Sequence, residues 1–291
     1  LNLAHTLWVE TRLRAWERRL ARDPDGLLPG AASFSVGNGP IAILFIHGFA
    51  DTPAIWTRVA ARLAATGRFA CRAMRLPGSG EPRDGAKRQS FDRWRAAVDR
   101  ELAALRSKHK AVWAAGHSMG AALAADAALR DPDAVDGLVA LAPLIQVSNR
   151  RSPLLPPRFW FLLARLALPF SHTFESCFSA EGTAADDPSF TYTRDRFIPF
   201  CVYRGLFQLV RAIRGRSADL AQPIFAVTAA RDPVVDTPAA LRWLDGCRGP
   251  KTVRSLDDIG HVVPLELRWR ELTDEIAAFI LNQTKESLHE A

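Results

Sequence analysis

The stretch AVWAAGHSMGAALAADAAL, residues 111–129, runs from an unbroken apolar segment into an Ala-rich one through Gly116-His117-Ser118-Met119-Gly120. An apolar run without alternation is the pattern of a parallel strand covered on both faces. Ala and Leu favour helix. The spacing therefore predicts a strand over 111–117, a sharp turn at Ser118 and a helix over 119–129. A G-x-S-x-G in that strand–turn–helix setting projects its serine from a strained corner. The flanking glycines allow close packing where a side chain would clash. The next amide, on Met119, faces the place where an oxyanion would develop, aided by the field of the helix N-terminus. Ser118 is accordingly the candidate nucleophile. The alternative is a small buried serine in a tight turn.

The same rhythm extends outward on both sides. Apolar runs predict strands over 41–47 (IAILFIH), 70–76, 135–143 and 223–230 (PIFAVTAA), and a further strand is expected over 252–256. Helical periodicity predicts helices over 53–65, 91–106, 238–244 and 265–281. Strands alternating with helices at this spacing imply an α/β architecture, a doubly wound and mostly parallel sheet with helices on both faces. Residues 144–221 break the rhythm. They hold Pro153, Pro156 and Pro157, then Phe159, Trp160, Phe161, Phe170, Phe174 and Phe178, with more aromatics over 190–214. No strand-like alternation stands out there, so a helical insertion between two sheet strands is expected.

Residues 1–22 read as an amphipathic helix, with Leu3, Leu7, Leu13, Trp16 and Leu20 near helical spacing and arginines over much of the rest. Asp23-Pro24-Asp25-Gly26 ends it. Two roles fit: a helix docked on the globular body, or an interfacial helix lying on anionic headgroups. The expected organisation is an N-terminal helix over 1–25, a core over 26–143 and 222–291, and a helical cap, or lid, over 144–221.

Serine is a weak nucleophile unless a base and an orienting acid assist it. Serine, then acid, then histidine is the chain order that accompanies this turn. Asp232, in Arg231-Asp232-Pro233, follows the strand at 223–230, and His261, in Gly260-His261-Val262, follows the strand at 252–256. All three therefore fall at the carboxyl edge of the sheet, where open α/β sheets place their sites. Asp236 and Asp257 are the other candidates for the acid. His5, His109 and His289 fall in surface helices or tails, and His172 in the insertion. After the strand at 41–47, Gly48 permits a tight turn that makes the Phe49 amide a second oxyanion donor beside Met119. His47 reads as a structural histidine bonded to loop backbone.

Composition excludes several classes. The 291 residues are 48% hydrophobic and 24% charged, which is ordinary globular composition rather than disorder or coiled coil. The formal charge of +7 comes from a chain rich in Arg, and no nucleic-acid-binding signature accompanies it. No nucleic-acid partner is expected. Cys71, Cys177, Cys201 and Cys247 form no CxxC pair, which speaks against a zinc site or a dense disulfide framework. The longest nearly uncharged run, 26–50, is interrupted by Pro and Gly, so no membrane span is expected. The first residue is Leu1 rather than an initiator Met. The expected location is cytoplasmic or membrane-associated, with secretion left open by that start.

HGFADTPAIW (47–56), RLPGSGEP (75–82), GHSMGA (116–121), RDPVVD (231–236) and GHVVPLE (260–266) together resemble the α/β-hydrolase family, within it the monoacylglycerol lipase and small carboxylesterase group. The resemblance covers about residues 40 to 282. It departs at Ala121, where the family often has Gly, and at Ser79, where it often has His. The hairpin before the first core strand is reduced to about 33–36. The resemblance implies a Ser118–Asp232–His261 triad, an oxyanion hole from the Phe49 and Met119 amides, and a helical cap over the pocket. No metal and no organic cofactor are implied. Serine at 118 disfavours the dehalogenases and epoxide hydrolases of the family, which use Asp there. The expected activity is hydrolysis of apolar carboxylic esters with short to medium acyl chains. Acyl transfer, thioester or amide hydrolysis, carbon–carbon bond hydrolysis and a non-catalytic binding protein on the same scaffold are the alternatives. Arg194, Arg196 and Arg204 read as solvated surface of the cap. Peripheral membrane contact through residues 1–22 and the cap is a further expectation.

Overall fold

In the computed structural model, which describes residues 2–150, 152, 154–176 and 181–289, the apolar runs become the centre of a seven-stranded sheet. Its members are β1 (Phe34–Val36), β2 (Ile41–Ile46), β3 (Phe69–Met74), β4 (Ala111–His117) and β5 (Gly137–Leu141), with β10 (Ile224–Ala229) and β11 (Lys251–Leu256) after an insertion. The order is β1-β3-β2-β4-β5-β10-β11. Only β1 is antiparallel, pairing with β3 as the short remnant of a hairpin. Every residue of β2 and β4 is buried, because both strands are central and covered on both faces.

Helices α1 (Asn2–Glu17), α2 (Thr57–Ala65), α3 (Arg83–Ala86), α4 (Phe91–Arg106) and α5 (Met119–Arg130) precede the insertion, and α8 (Thr237–Asp245) and α9 (Trp269–His289) follow it. Helix α2 lies against α9 and α4 against α5, giving the sheet helical layers. Trp113 of β4 is fully buried and donates through its indole to Thr284 of α9 at 3.2 Å. Helix α9 begins later than the periodicity suggests. Residues Val263–Leu265 form a separate tight turn at Pro264, and Glu266 is extended, which breaks helical backbone before Trp269.

The insertion corrects one expectation, since it is not all helical. Besides α6 (Pro157–Ala167) and α7 (Phe200–Ile213) it holds β6 (Thr173–Glu175) paired with β9 (Phe197–Pro199), and β7 (Glu181–Ala184) paired with β8 (Asp187–Thr193). These strands are short and rich in Thr and polar residues. Only Phe190 and Tyr192 of β8 betray a period of two, too brief a signal to read unaided. Phe178, Cys177 and Pro153 lie outside the described residues. The β7–β8 hairpin is tied to the core by Asp186, which accepts from both ends of Arg58 at 2.6 and 2.8 Å, from the Trp269 indole at 3.0 Å and from Arg270.

Helix α1 stops at Glu17, five residues short of the span its periodicity suggested. It packs on the body through Val9 and Leu13, both buried, and Trp16, an i, i+4, i+7 stripe against Phe197. Trp16 also touches the cluster of Leu27, Leu28 and Ala31. Leu3 and Leu7 of the expected apolar face stay exposed, as does Trp8. Arg12 holds Glu175 with two bonds of 2.7 Å, and His5 bonds Ser171 at 2.9 Å. Among the described residues no helix is long and apolar enough to cross a membrane.

Candidate active site

The corner at Ser118 is forced by close approach. A Cβ on Gly120 would sit 2.1 Å from the Ile46 carbonyl oxygen, and one on Gly116 would sit 2.2 Å from the Ala121 nitrogen. Only glycine lets α5 meet the ends of β4 and β2 so tightly. Ser118 itself has φ +53° and ψ −112°, a conformation that costs a non-glycine residue about 1–3 kcal/mol. The surroundings over-determine it. The Ser118 amide donates to the Leu141 carbonyl at 2.8 Å, and the Ser118 carbonyl accepts from Ala122 and Leu144, each at 3.2 Å.

Asp232, just beyond β10, is buried and spends both carboxylate oxygens. One accepts from the amides of Val234 and Val235 at 2.7 and 3.0 Å, and the other meets His261 Nδ1 at 2.7 Å. Burial pushes its pKa up, but the His261 hydrogen bond, the His261 charge and the two amides outweigh that and hold it below the usual carboxylate range. Asp232 is therefore ionised at neutral pH and accepts a hydrogen bond from Nδ1–H of His261. That tautomer leaves Nε2 of His261 as the basic nitrogen.

His117 ties His261 to the serine corner. Its Nε2 donates to the His261 carbonyl at 2.9 Å, and the two rings lie 4.9 Å apart. Burial first, and then the nearby His261, push the His117 pKa down to about 3, so it stays neutral. The rival acids have other work: Asp236 caps α8 by accepting from the Ala239 amide at 2.9 Å and binds Gln146, while Asp257 is exposed. His47 is fully buried. Its Nε2 accepts the Leu76 amide at 3.1 Å, which leaves Nδ1 to donate to the Gly48 carbonyl at 2.9 Å.

The loop after β2 turns through Phe49 and Ala50, closed by the Asp51 amide donating to the Gly48 carbonyl at 3.3 Å, with Ala50 at φ +57°. Among the described residues neither the Phe49 nor the Met119 amide donates to a backbone carbonyl. Ser118 and Phe49 share a cavity of about 460 Å³ with Leu144 and with Trp160, Phe161 and Phe174 of the insertion. A wider cleft of about 780 Å³ adjoins it across Val147, Pro157 and Phe207, and Ser118 is not among its described lining residues.

Arg194 departs from its expected place on solvated surface. Its side chain is 14% exposed and faces buried Asp51 at 3.8 Å, while Tyr192 donates to the same carboxylate at 2.7 Å. Arg196 pairs with Glu175, and Arg204 is exposed. No local pattern marks Asp51 or Tyr192. Their meeting joins positions 141 residues apart.

A mostly parallel seven-stranded sheet with a strained serine corner at the end of β4 defines an α/β hydrolase. The family model described as serine aminopeptidase, S33, matches residues 40–268, and the chain belongs to that family. A thermostable monoacylglycerol lipase from Bacillus sp. (strain H-257) is 31% identical over 121 residues, which are 42% of this chain and 48% of that protein. The chain thus spans about half the length of the curated relative it matches. Among solved structures, that reported for the metagenome-derived lipolytic enzymes LipS and LipT aligns at 21% identity and TM-score 0.71, covering 88% of this chain and 99% of the other. The monoacylglycerol lipase of Paleococcus ferrophilus aligns at 16% and 0.70, covering 86% and 98%. A soluble variant of the Saccharomyces cerevisiae monoglyceride lipase, in complex with a substrate analogue, aligns at 14% and 0.68, covering 86% and 91%. At such identities these likenesses speak to the fold.

Proposed function

We propose that this chain is a serine hydrolase of carboxylic esters with short to medium acyl chains, of carboxylesterase or monoacylglycerol lipase type. The observation that carries the proposal is the Asp232–His261 pair joined through His117 to the corner bearing Ser118, at the wall of an apolar cavity. In this reading His261 Nε2 takes the Ser118 proton as Oγ attacks the ester carbonyl. The Phe49 and Met119 amides receive the oxyanion. Collapse releases the alcohol, which takes the proton from His261, and leaves an acyl group on Ser118. Water then repeats the sequence and frees the acid. Residues 144–221 act as the cap whose aromatic side chains bind the acyl chain. The monoacylglycerol lipase name of the curated relative supports an ester over an amide or thioester.

The test is a p-nitrophenyl ester series from acetate to palmitate, run beside Ser118→Ala. Each methylene buried in an apolar pocket contributes about 0.8 kcal/mol. Specificity should therefore climb roughly fourfold per methylene and then break where the cavity ends, with no turnover in Ser118→Ala. Hydrolysis that survives Ser118→Ala, or a wild-type protein that leaves every simple ester intact, overturns the reading.

Exposed apolar side chains support a membrane-bound mode of action. Leu162, Leu166 and Phe170 in and after α6 are exposed, as are Leu3, Leu7 and Trp8 of α1. The His5–Ser171 hydrogen bond brings the two groups together. Arg158 and Arg165 on α6 supply positive charge for anionic headgroups. Binding to anionic phospholipid vesicles that weakens with salt and is lost on deleting residues 2–17 is the expected result. Equal binding after deletion overturns the role of α1.

A further inference from the structure

Asp51 lies two residues past Phe49 and is completely buried. A lone carboxylate there would be strongly unfavourable; its own loop offers only the Thr52 amide, which donates to Oδ1 at 3.1 Å, and further partners come from the insertion. Tyr192 at the end of β8 donates its hydroxyl to Asp51 Oδ1 at 2.7 Å. Arg194 brings its guanidinium to 3.8 Å from Oδ2. One residue on, the Asp195 amide donates to the Ala50 carbonyl at 3.1 Å, and the Asp195 carboxylate accepts from the Gly80 amide at 3.0 Å. Residues 192–195 therefore grip the loop at both Ala50 and Asp51. The loop needs gripping. Ala50 sits at φ +57°, and the turn around Phe49 is closed by a long bond of 3.3 Å. The Phe49 ring leans on Tyr203, another insertion residue, at 5.1 Å.

We propose that Tyr192 and Arg194 are positioning residues for the Phe49 oxyanion donor, acting through Asp51, so that the donor is in place only while the insertion is seated. The proposal rests on the ester-hydrolase reading above. The two contacts differ in kind. Tyr192 makes a short, directional hydrogen bond. Arg194 at 3.8 Å acts by charge, and Asp51 Oδ2 and Arg194 Nε are both buried without a hydrogen-bond partner among the described residues. A charge contact of this sort does not depend on guanidinium geometry, so lysine should serve where a neutral side chain fails.

The experiment compares Tyr192→Phe, Arg194→Met and Arg194→Lys with wild type on p-nitrophenyl butyrate, with melting temperatures to establish folding. The second readout is inhibition by an alkyl trifluoromethyl ketone, which adds to the serine and places an oxyanion in the hole. Loss of one oxyanion donor lowers turnover about 10²–10³-fold, so a displaced donor should lower kcat by roughly tenfold or more. KM should change less than twofold. The trifluoromethyl ketone should weaken by the same factor as kcat, and Arg194→Lys should recover most of what Arg194→Met loses. A folded Tyr192→Phe protein with wild-type kcat and wild-type ketone affinity overturns the proposal, as does a loss confined to KM. If wild type hydrolyses no ester, the ester reading fails separately. The clamp is then judged by the rate of fluorophosphonate labelling at Ser118, whose phosphoryl oxygen occupies the same hole. Slower labelling in Tyr192→Phe upholds it, and an unchanged rate or no labelling in any form overturns it.

Discussion

Ser118 keeps its strained backbone because Gly116 and Gly120, two residues to either side, have no side chains to resist the corner. Gly120→Ala would press a methyl group into the Ile46 carbonyl at 2.1 Å, a contact between backbones that cannot yield. The expected outcome is a protein with a clearly lowered melting temperature and little ester turnover. Asp232→Asn probes the other half of the site. An amide in place of the carboxylate can hold the wrong tautomer of His261, and in serine hydrolases with this constellation the loss is about 10⁴-fold in kcat. Turnover should fall on that order while circular dichroism stays native. Asp232 and His261 were legible because each follows an expected strand and so reaches one sheet edge. Asp51 was not, because a carboxylate after a turn reads as surface until its partner Tyr192 is folded onto it.

At the scale of elements, the β7–β8 hairpin is tied to the core through Asp186, which accepts from Arg58, Trp269 and Arg270. Arg58 first, with the Trp269 indole and Arg270, holds the Asp186 pKa well below the usual carboxylate range. A carboxylate depressed in this way adds stability above its unfolded pKa and loses it as pH falls. Asp186→Ala should leave the β7–β8 hairpin more open to limited proteolysis at neutral pH, and the difference from wild type should shrink below about pH 4. Equal cleavage rates at neutral pH would show that the hairpin is held by packing instead. The core elements could be read from sequence because their apolar runs are long. Strands of three or four residues in the insertion bury too little for any pattern to show.

Across the whole molecule, Asp195 joins the loop at Ala50, the Gly80 turn and the insertion. Burial pushes its pKa up to about 7, with Asp51 and Glu81 adding to the rise and the Gly80 amide and Arg22 opposing it. Between the ordinary aspartate value of about 3.9 and about 7, the folded protein holds a proton that the unfolded chain has released. Stability therefore falls as pH rises through that window. Asp195→Asn still accepts from Gly80 but has no charge to bury, so its melting temperature relative to wild type should improve steadily from about pH 5 to pH 8. A constant difference across that range would show that Asp195 does not titrate there.

The sequence by itself determined the sheet, the serine corner and the places of Asp232 and His261. Those features rest on local periodicity and on glycines that leave the backbone no alternative. Tertiary structure alone decided the His117 bridge to His261, the face on which α1 docks and the burial of Arg194 over Asp51. Each of these joins residues far apart in the chain by hydrogen bonding, apolar burial or charge, and none exists until the fold brings them together.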